Sequence, residues 1–422
     1  MVHLLPFRAL RPTSEHVDEV AAPPYDVMNR SEARDMISGK ANSILRVTRP
    51  DAVLNDQISI DDQEAYDFAQ QELSRLITEA IMQYDEKPSY YIYTQQMGEH
   101  RQTGIVGLAS AEDYWQDKIK KHEFTLPRKE DDRMKQVLSL GAHLGPVFLT
   151  HQAHKGLKIL IAQYQESTAD VSHLAPDGIL HEIWAIHQSE DLQKVQNDFA
   201  EIDALYIADG HHRAAAAARV SRSLQEDSEL AGHFLTVSFA ADELLVLPYH
   251  RVVTQLSMTA LELLKALEQD FELQACSAPQ DIDPSSPVQF PASSQTWGMY
   301  LDKSWYVLKA KAHLQEMVQK QALTSQLDVS VLQDYVLSKH LNVEDPRRCD
   351  HIQFVGGIRG FRALEEKTDA CNGVAFALYP TSVQELIGIA DSGEVMPPKS
   401  TWFEPKLRTG LLINVFDQSK LS

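Results

Sequence analysis

The segment Leu205-Tyr206-Ile207-Ala208-Asp209-Gly210-His211-His212-Arg213, continued by alanine from 214 to 218, limits most strongly what this chain can fold into. Its apolar run predicts a buried strand, Gly210 a turn, and the alanines a helix. A helix start carries unpaired N–H groups and a partial positive charge, so an anion there is held by backbone donors. Arg213 adds a guanidinium fork, and Gly210 permits close backbone approach. The bland alternative is that Asp209 merely caps the helix while the histidines and Arg213 face solvent.

The same alternation recurs along the chain. Short β-like runs at Tyr90–Thr94, Gly104–Leu108, Val147–Leu149 and Ala204–Ala208 are interleaved with helical patterns near 61–84, 126–142, 189–200 and 212–225. This predicts an α/β (α+β) fold. Beyond a soft boundary at 225–232, strands are expected at Phe234–Phe239, Leu244–Leu247, Trp297–Tyr300, Trp305–Ala310, Ile352–Val355 and Val374–Leu378. Helices are expected at Met258–Gln269, 328–340 and 382–391, a polar, Pro-rich segment at 277–291, and a closing strand at Leu411–Phe416. At 422 residues two packed parts are the natural expectation, written here as 1–228 and 229–422.

A formal net charge of −21 supplies no basic field for nucleic acid or an anionic membrane. No segment approaches the roughly 20 apolar residues of a membrane span. Cys276, Cys349 and Cys371 form no CxxC pair, which suits a reducing compartment, with the cytoplasm as the default.

Other clusters carry candidate chemistry. Lys120-Lys121-His122-Glu123-Phe124-Thr125, followed by Arg128-Lys129 and Asp131-Asp132-Arg133, sets an acid, a base and cations close together. Glu123, next to His122 and Lys121, can act as a general base on a hydroxyl while flanking cations steady a transferred phosphate. Met396 through Leu407 packs Pro397, Pro398, Lys399, Ser400, Thr401 and Lys406 into a rigid lip, equally readable as a turn clamped by Trp402 and Phe403. Ala21-Ala22-Pro23-Pro24-Tyr25-Asp26 reads as a kinked edge strand that offers Asp26. Gly356-Gly357-Ile358-Arg359-Gly360 lacks the dinucleotide-binding spacing, and neither a P-loop nor an H-E-x-x-H motif occurs. His122, His211, His212 and His250 leave the question of a metal open.

Taken together, these segments resemble the prokaryotic family catalogued as domain of unknown function 1015. The resemblance runs through Ala21 to Val27, Arg49-Pro50, His122 to Thr125, Asp132-Arg133, Asp209 to Arg213, Leu247-Pro248-Tyr249-His250-Arg251, Phe354 to Gly357 and Met396 to Leu407. Lys40-Ala41-Asn42-Ser43 departs from the family's Asn-Pro-x-Asn pattern. The Asp-Gly-His-His-Arg turn is also similar to the Gly-x-x-Arg turn of the partition protein B (ParB) and sulfiredoxin superfamily, which includes free serine kinases.

The second resemblance implies a ParB/sulfiredoxin-like first half with a long insertion at about 95–190, followed by a mixed α+β second half that carries the lip. It implies ATP or ADP with Mg²⁺ at Gly210, His211, His212 and Arg213, aided by Arg251, Lys399 and Lys406. Catalytic roles then fall to Glu123, His122, Asp26 and Asp209, and substrate contacts to Tyr25, Thr125, Ser400 and Thr401. The implied function is nucleotide-dependent phosphoryl transfer to a small hydroxyl compound such as free serine, with the site between the halves. Hydrolysis of a phosphoester such as phosphoserine is the rival. Nucleotide sensing or DNA association is a third reading, against which the acidic charge argues.

Overall fold

The computed structural model describes residues 2–224, 229–280 and 290–421. Of the expected Pro-rich stretch, 281–289 lie outside the described residues, as do 225–228 of the expected boundary. The fold is α+β and divides into two units, Met1–Leu244 with Pro405–Ser422, and Leu245–Glu404.

In the first unit a mixed sheet runs in the order Ile119–Lys120, Leu205–Asp209, Val147–His151, His233–Ala240, His100–Ser110, Tyr90–Met97, Leu180–Ile186 and Val171–Leu174. Leu4–Leu5 pairs beside His100–Ser110. The helix His211–Ser223 buries Ala214, Ala215, Ala217 and Ala218 in the same core cluster as Val147, Leu205, Ile207 and Phe234. Five consecutive alanines favour the helix and let its backbone come close to the strands. A second cluster joins Ala33, Leu45, Ala69, Leu73, Leu140 and Ile413.

Two expectations are corrected here. The boundary lies after Leu244 rather than at 228/229, because His233–Ala240 pairs with both His100–Ser110 and Val147–His151 and so completes the first sheet. The tail likewise belongs to the first unit. Leu407, Leu411, Leu412 and Ile413 are buried, Ile413 bridges Leu10, and Thr409 bridges Ala22. Lys406 is therefore a residue of the first unit, whereas Lys399 belongs to the second.

Local boundaries shift for identifiable reasons. The helix expected over 61–84 is Gln63–Thr78; Ala80 then turns left-handed at φ 57°, and Met82–Tyr84 pairs with Leu10–Pro12 as a strand. The closing strand shrinks to Asn414–Val415, paired with Ala142–His143. The helix expected over 328–340 contains a π-helical stretch, Gln333–Ser338.

The second unit carries an antiparallel sheet in the order Phe271–Cys276, Ser304–Ala310, Thr296–Leu301, Val374–Leu378, Tyr249–Val253 and Ile352–Gly356. Here the Gly356-Gly357 pair has a packing role. A Cβ on Gly356 would come within 2.7 Å of the Trp402 ring, and one on Gly357 within 2.9 Å of Pro248. Among the described residues of either unit, no helix is long and apolar enough to cross a membrane.

Candidate functional site

Strand pairing brings the two sequence clusters of the first unit together. Leu205 and Tyr206 pair in parallel with Ile119 and Lys120, so both chains leave the sheet at the same edge. The residues that follow, His122-Glu123 on one chain and Asp209-Gly210-His211 on the other, meet there. The His122 and His211 rings lie edge to face at 4.5 Å, and Glu123 Oε2 is 3.8 Å from His211 Nδ1.

Gly210 adopts φ +93°, and the helix His211–Ser223 begins without any side-chain cap. Asp209 does not take that role. One carboxylate oxygen accepts from the Gly210 N–H at 2.8 Å, and the other faces the Lys406 ammonium at 3.1 Å. Burial would raise the Asp209 carboxyl, but Lys406 and Arg213 together hold it well below the usual carboxylate range.

Both buried imidazoles are neutral at pH 7. Burial lowers His122 to about 4, and its ring donates to the Ile207 carbonyl. His211 is pushed well below its ordinary value by burial and by its neighbour His122. Three polar atoms in this small volume have no partner among the described residues: His122 Nδ1, His211 Nε2 and Arg213 Nε. Buried polar atoms are normally satisfied, so this cluster beside an uncapped helix start is the candidate site of the first unit.

Arg213 is drawn inward. One terminal nitrogen donates to the Pro146 carbonyl, and the guanidinium lies so close over Gly210 that a Cβ there would come within 3.0 Å of Nε. Gly210→Ala is therefore expected to destabilise the protein by about 1–2 kcal/mol, from the left-handed backbone alone. It should also push Arg213 off its seat. Urea unfolding measures the first effect, and an unchanged midpoint would contradict it.

A cleft of about 460 Å³ adjoins the helix start, lined by Tyr25, Asp26, Arg49, Arg128, Lys129, Asp132, Arg133 and His212. Here Arg49 is forked onto Asp51 and donates to the Met28 carbonyl at 2.7 Å. Arg133, almost wholly buried, is paired with Asp132 and stacks 4.0 Å over the Tyr25 ring. Burial raises the Tyr25 hydroxyl to about 12, so it stays protonated. Asp26 and Lys129 line the cleft in no ion pair among the described residues. His212 Nε2 accepts from the Leu126 N–H at 3.0 Å and thereby ties the His122–Leu126 loop to the helix.

These features sit inside a family profile that matches residues 4–330, described as Protein of unknown function (DUF1015). The chain belongs to that family. No curated protein matches it. Among solved structures, it is similar to a free serine kinase in complex with AMP, at 14% identity over 76% of this chain and 93% of that one, with a TM-score of 0.34. It is also similar to SbnI with a C-terminal truncation from Staphylococcus aureus, at 12% identity over 75% of this chain and 92% of that one, TM-score 0.38. A conserved hypothetical protein from Pyrococcus furiosus is 13% identical over 74% of this family member and 95% of its own length, TM-score 0.33.

Most of the remaining expected site residues of this family member are committed locally. Thr125 donates to Glu130. In the second unit, Arg251 is buried and donates to the carbonyls of Tyr249, Pro398 and Lys399. The Lys399 ammonium lies 5.3 Å from the Tyr249 ring centroid. Ser400 donates to the Pro397 carbonyl at 2.6 Å, and Thr401 precedes the short strand Trp402–Glu404. Among the described residues no group of three or more His, Cys, Asp or Glu side chains is arranged to hold a metal. Lys129 and Arg133 belong to the charged cluster read from the sequence as able to steady a phosphate, whereas Arg49 carried no expected role beyond its place in the Arg49-Pro50 resemblance.

Proposed function

We propose that this protein transfers a phosphoryl group from ATP or ADP to a small hydroxyl compound, free serine being one such acceptor, at the start of the helix His211–Ser223. The observation that carries this reading is the uncapped helix start beside buried nitrogens that have no partner among the described residues, with Lys406 held there by Asp209. Backbone N–H groups, Lys406 and Arg213 supply positive potential for a transferred phosphate. The acceptor hydroxyl enters from the charged cleft, and Glu123 takes its proton while His211 orients that carboxylate. Nucleotide-bound Mg²⁺ would neutralise phosphate charge and needs only one or two carboxylates besides phosphate oxygens, a need that exposed Asp26 fits.

A second reading, phosphoester hydrolysis, is favoured by the two adjoining imidazoles at the helix start, each with one ring nitrogen unpartnered among the described residues and so able to hold a water beside a bound phosphate. One experiment separates them. Purified protein is incubated with Mg²⁺, ATP or ADP and a panel of hydroxy amino acids, and in parallel with phosphoserine alone, and phosphorylated product and free phosphate are followed. Phosphoryl transfer gives product only with nucleotide; hydrolysis releases phosphate from phosphoserine without it. Lys406→Met should lower nucleotide-dependent turnover by about a hundredfold, the usual loss when one preorganised cation or donor is removed. Glu123→Gln should stop turnover with nucleotide affinity retained, and Asp26→Asn is the comparison. Full activity in Glu123→Gln together with a dead Asp26→Asn moves the base to Asp26.

A further inference from the structure

A separate cleft of about 390 Å³ lies in the first unit, walled by Ala22, Pro23, Met36, Leu45, Ala175 and Pro176. Its lining also includes Lys40, Asp35, His173, Asp177 and Arg408. Most of this wall is apolar, yet two of its polar side chains are almost completely buried. The Arg408 side chain is 3% exposed and that of His173 is 2% exposed.

Arg408 is fixed from several sides. Its Nε donates to His181 Nε2 at 3.1 Å, one terminal nitrogen is paired with Asp177, and its backbone N–H donates to the Tyr93 hydroxyl at 3.2 Å. His181 is lowered to about 2 by burial and by Arg408, so it stays neutral and acts only as an acceptor there. The other terminal nitrogen, Nη1, makes no hydrogen bond among the described residues. His173 similarly uses Nδ1 on Asp18 Oδ1, at 2.5 Å, and leaves Nε2 without a partner among them. A guanidinium held rigid at the wall of an apolar cleft, with one terminal nitrogen unused by the described residues, is a receptor for an acceptor that carries charge. Lys40, in no ion pair among the described residues, adds a second cation at the same wall.

We infer that this cleft is a second ligand site, for a small organic monocarboxylate with an apolar tail. The carboxylate meets Arg408 Nη1 and Lys40, and the tail lies along Pro23, Met36, Leu45 and Pro176. Charge selects a monoanion. Asp35 and Asp177 line the same cleft, so a phosphate or other dianion meets repulsion that a single carboxylate largely escapes. An alcohol with the same tail leaves the guanidinium donors unmade.

The test is isothermal titration of the full chain, without nucleotide, using hexanoate, hexan-1-ol and inorganic phosphate. Hexanoate should bind at one site, with both controls at least about tenfold weaker. Lys40→Glu and Met36→Glu each bring a carboxylate to the wall from residues that are partly exposed, so the fold, checked by circular dichroism, should be kept. Each should weaken hexanoate at least about tenfold. Absence of hexanoate binding, equal binding of hexan-1-ol or phosphate, or unchanged affinity in both variants overturns the assignment. Because nucleotide is absent throughout, failure here leaves phosphoryl transfer untouched.

Discussion

Acidification from pH 7 to pH 4.5 is expected to unfold the protein cooperatively. Burial holds His122, His143 and His151 at about 4 and His250 at about 3, and burial with the adjacent Arg408 holds His181 at about 2. An unfolded histidine titrates near 6.5. Between those values the unfolded chain binds more protons than the folded one, so stability is fully present above about pH 6.5 and is lost as the pH falls towards 4. At pH 4.5 each such histidine costs about 2–3 kcal/mol. Total stabilities are typically about 5–15 kcal/mol, so several acting together suffice. Asp328, raised to about 7 by burial, acts in the opposite sense and gains stability as pH falls, but offsets only about one histidine. Circular dichroism against pH, with potentiometric counting of protons taken up, decides the matter. Native ellipticity at pH 4.5 without excess proton uptake would show that these imidazoles are not buried as described.

Arg133→Met is expected to lower stability by about 3–5 kcal/mol, because it strands the mostly buried Asp132 carboxylate. Arg133 Nε donates to Asp132 at 2.9 Å, a terminal nitrogen donates to Gln136 at 2.8 Å, and Tyr66 donates to the other Asp132 oxygen at 2.7 Å. Asp132→Asn combined with Arg133→Met should recover much of the loss, since no charge is then left unpaired. Urea midpoints of the single and double variants measure this. A single variant within about 1 kcal/mol of wild type would mean that the pair is solvated. The same substitution removes the cation stacked on Tyr25, so it should also deform the cleft lined by both residues.

The strand, the glycine turn and the helix at 205–223 were legible because each depends on neighbours in sequence: an apolar run, one residue free to take φ +93°, and five alanines. The packing role of Gly356 and Gly357 was not legible, because the Trp402 ring and Pro248 that crowd them lie far away in sequence. The ends of elements were less legible. Met82–Tyr84 continues a helical pattern in sequence, but pairing with Leu10–Pro12 outweighs that local preference.

By itself, then, the sequence determined the α+β class, the helix start that forms the anion-binding candidate, and the pairing of chemical types in His122-Glu123 and Asp209 to Arg213. Only the tertiary structure decided which of those groups meet. Parallel pairing of Ile119 with Leu205 brings His122 to His211, and return of the buried tail at Leu407–Ile413 places Lys406 on Asp209. Both contacts join residues far apart along the chain. Their partners are selected by which apolar surfaces can be buried together, a property of the whole core that no local window of sequence contains.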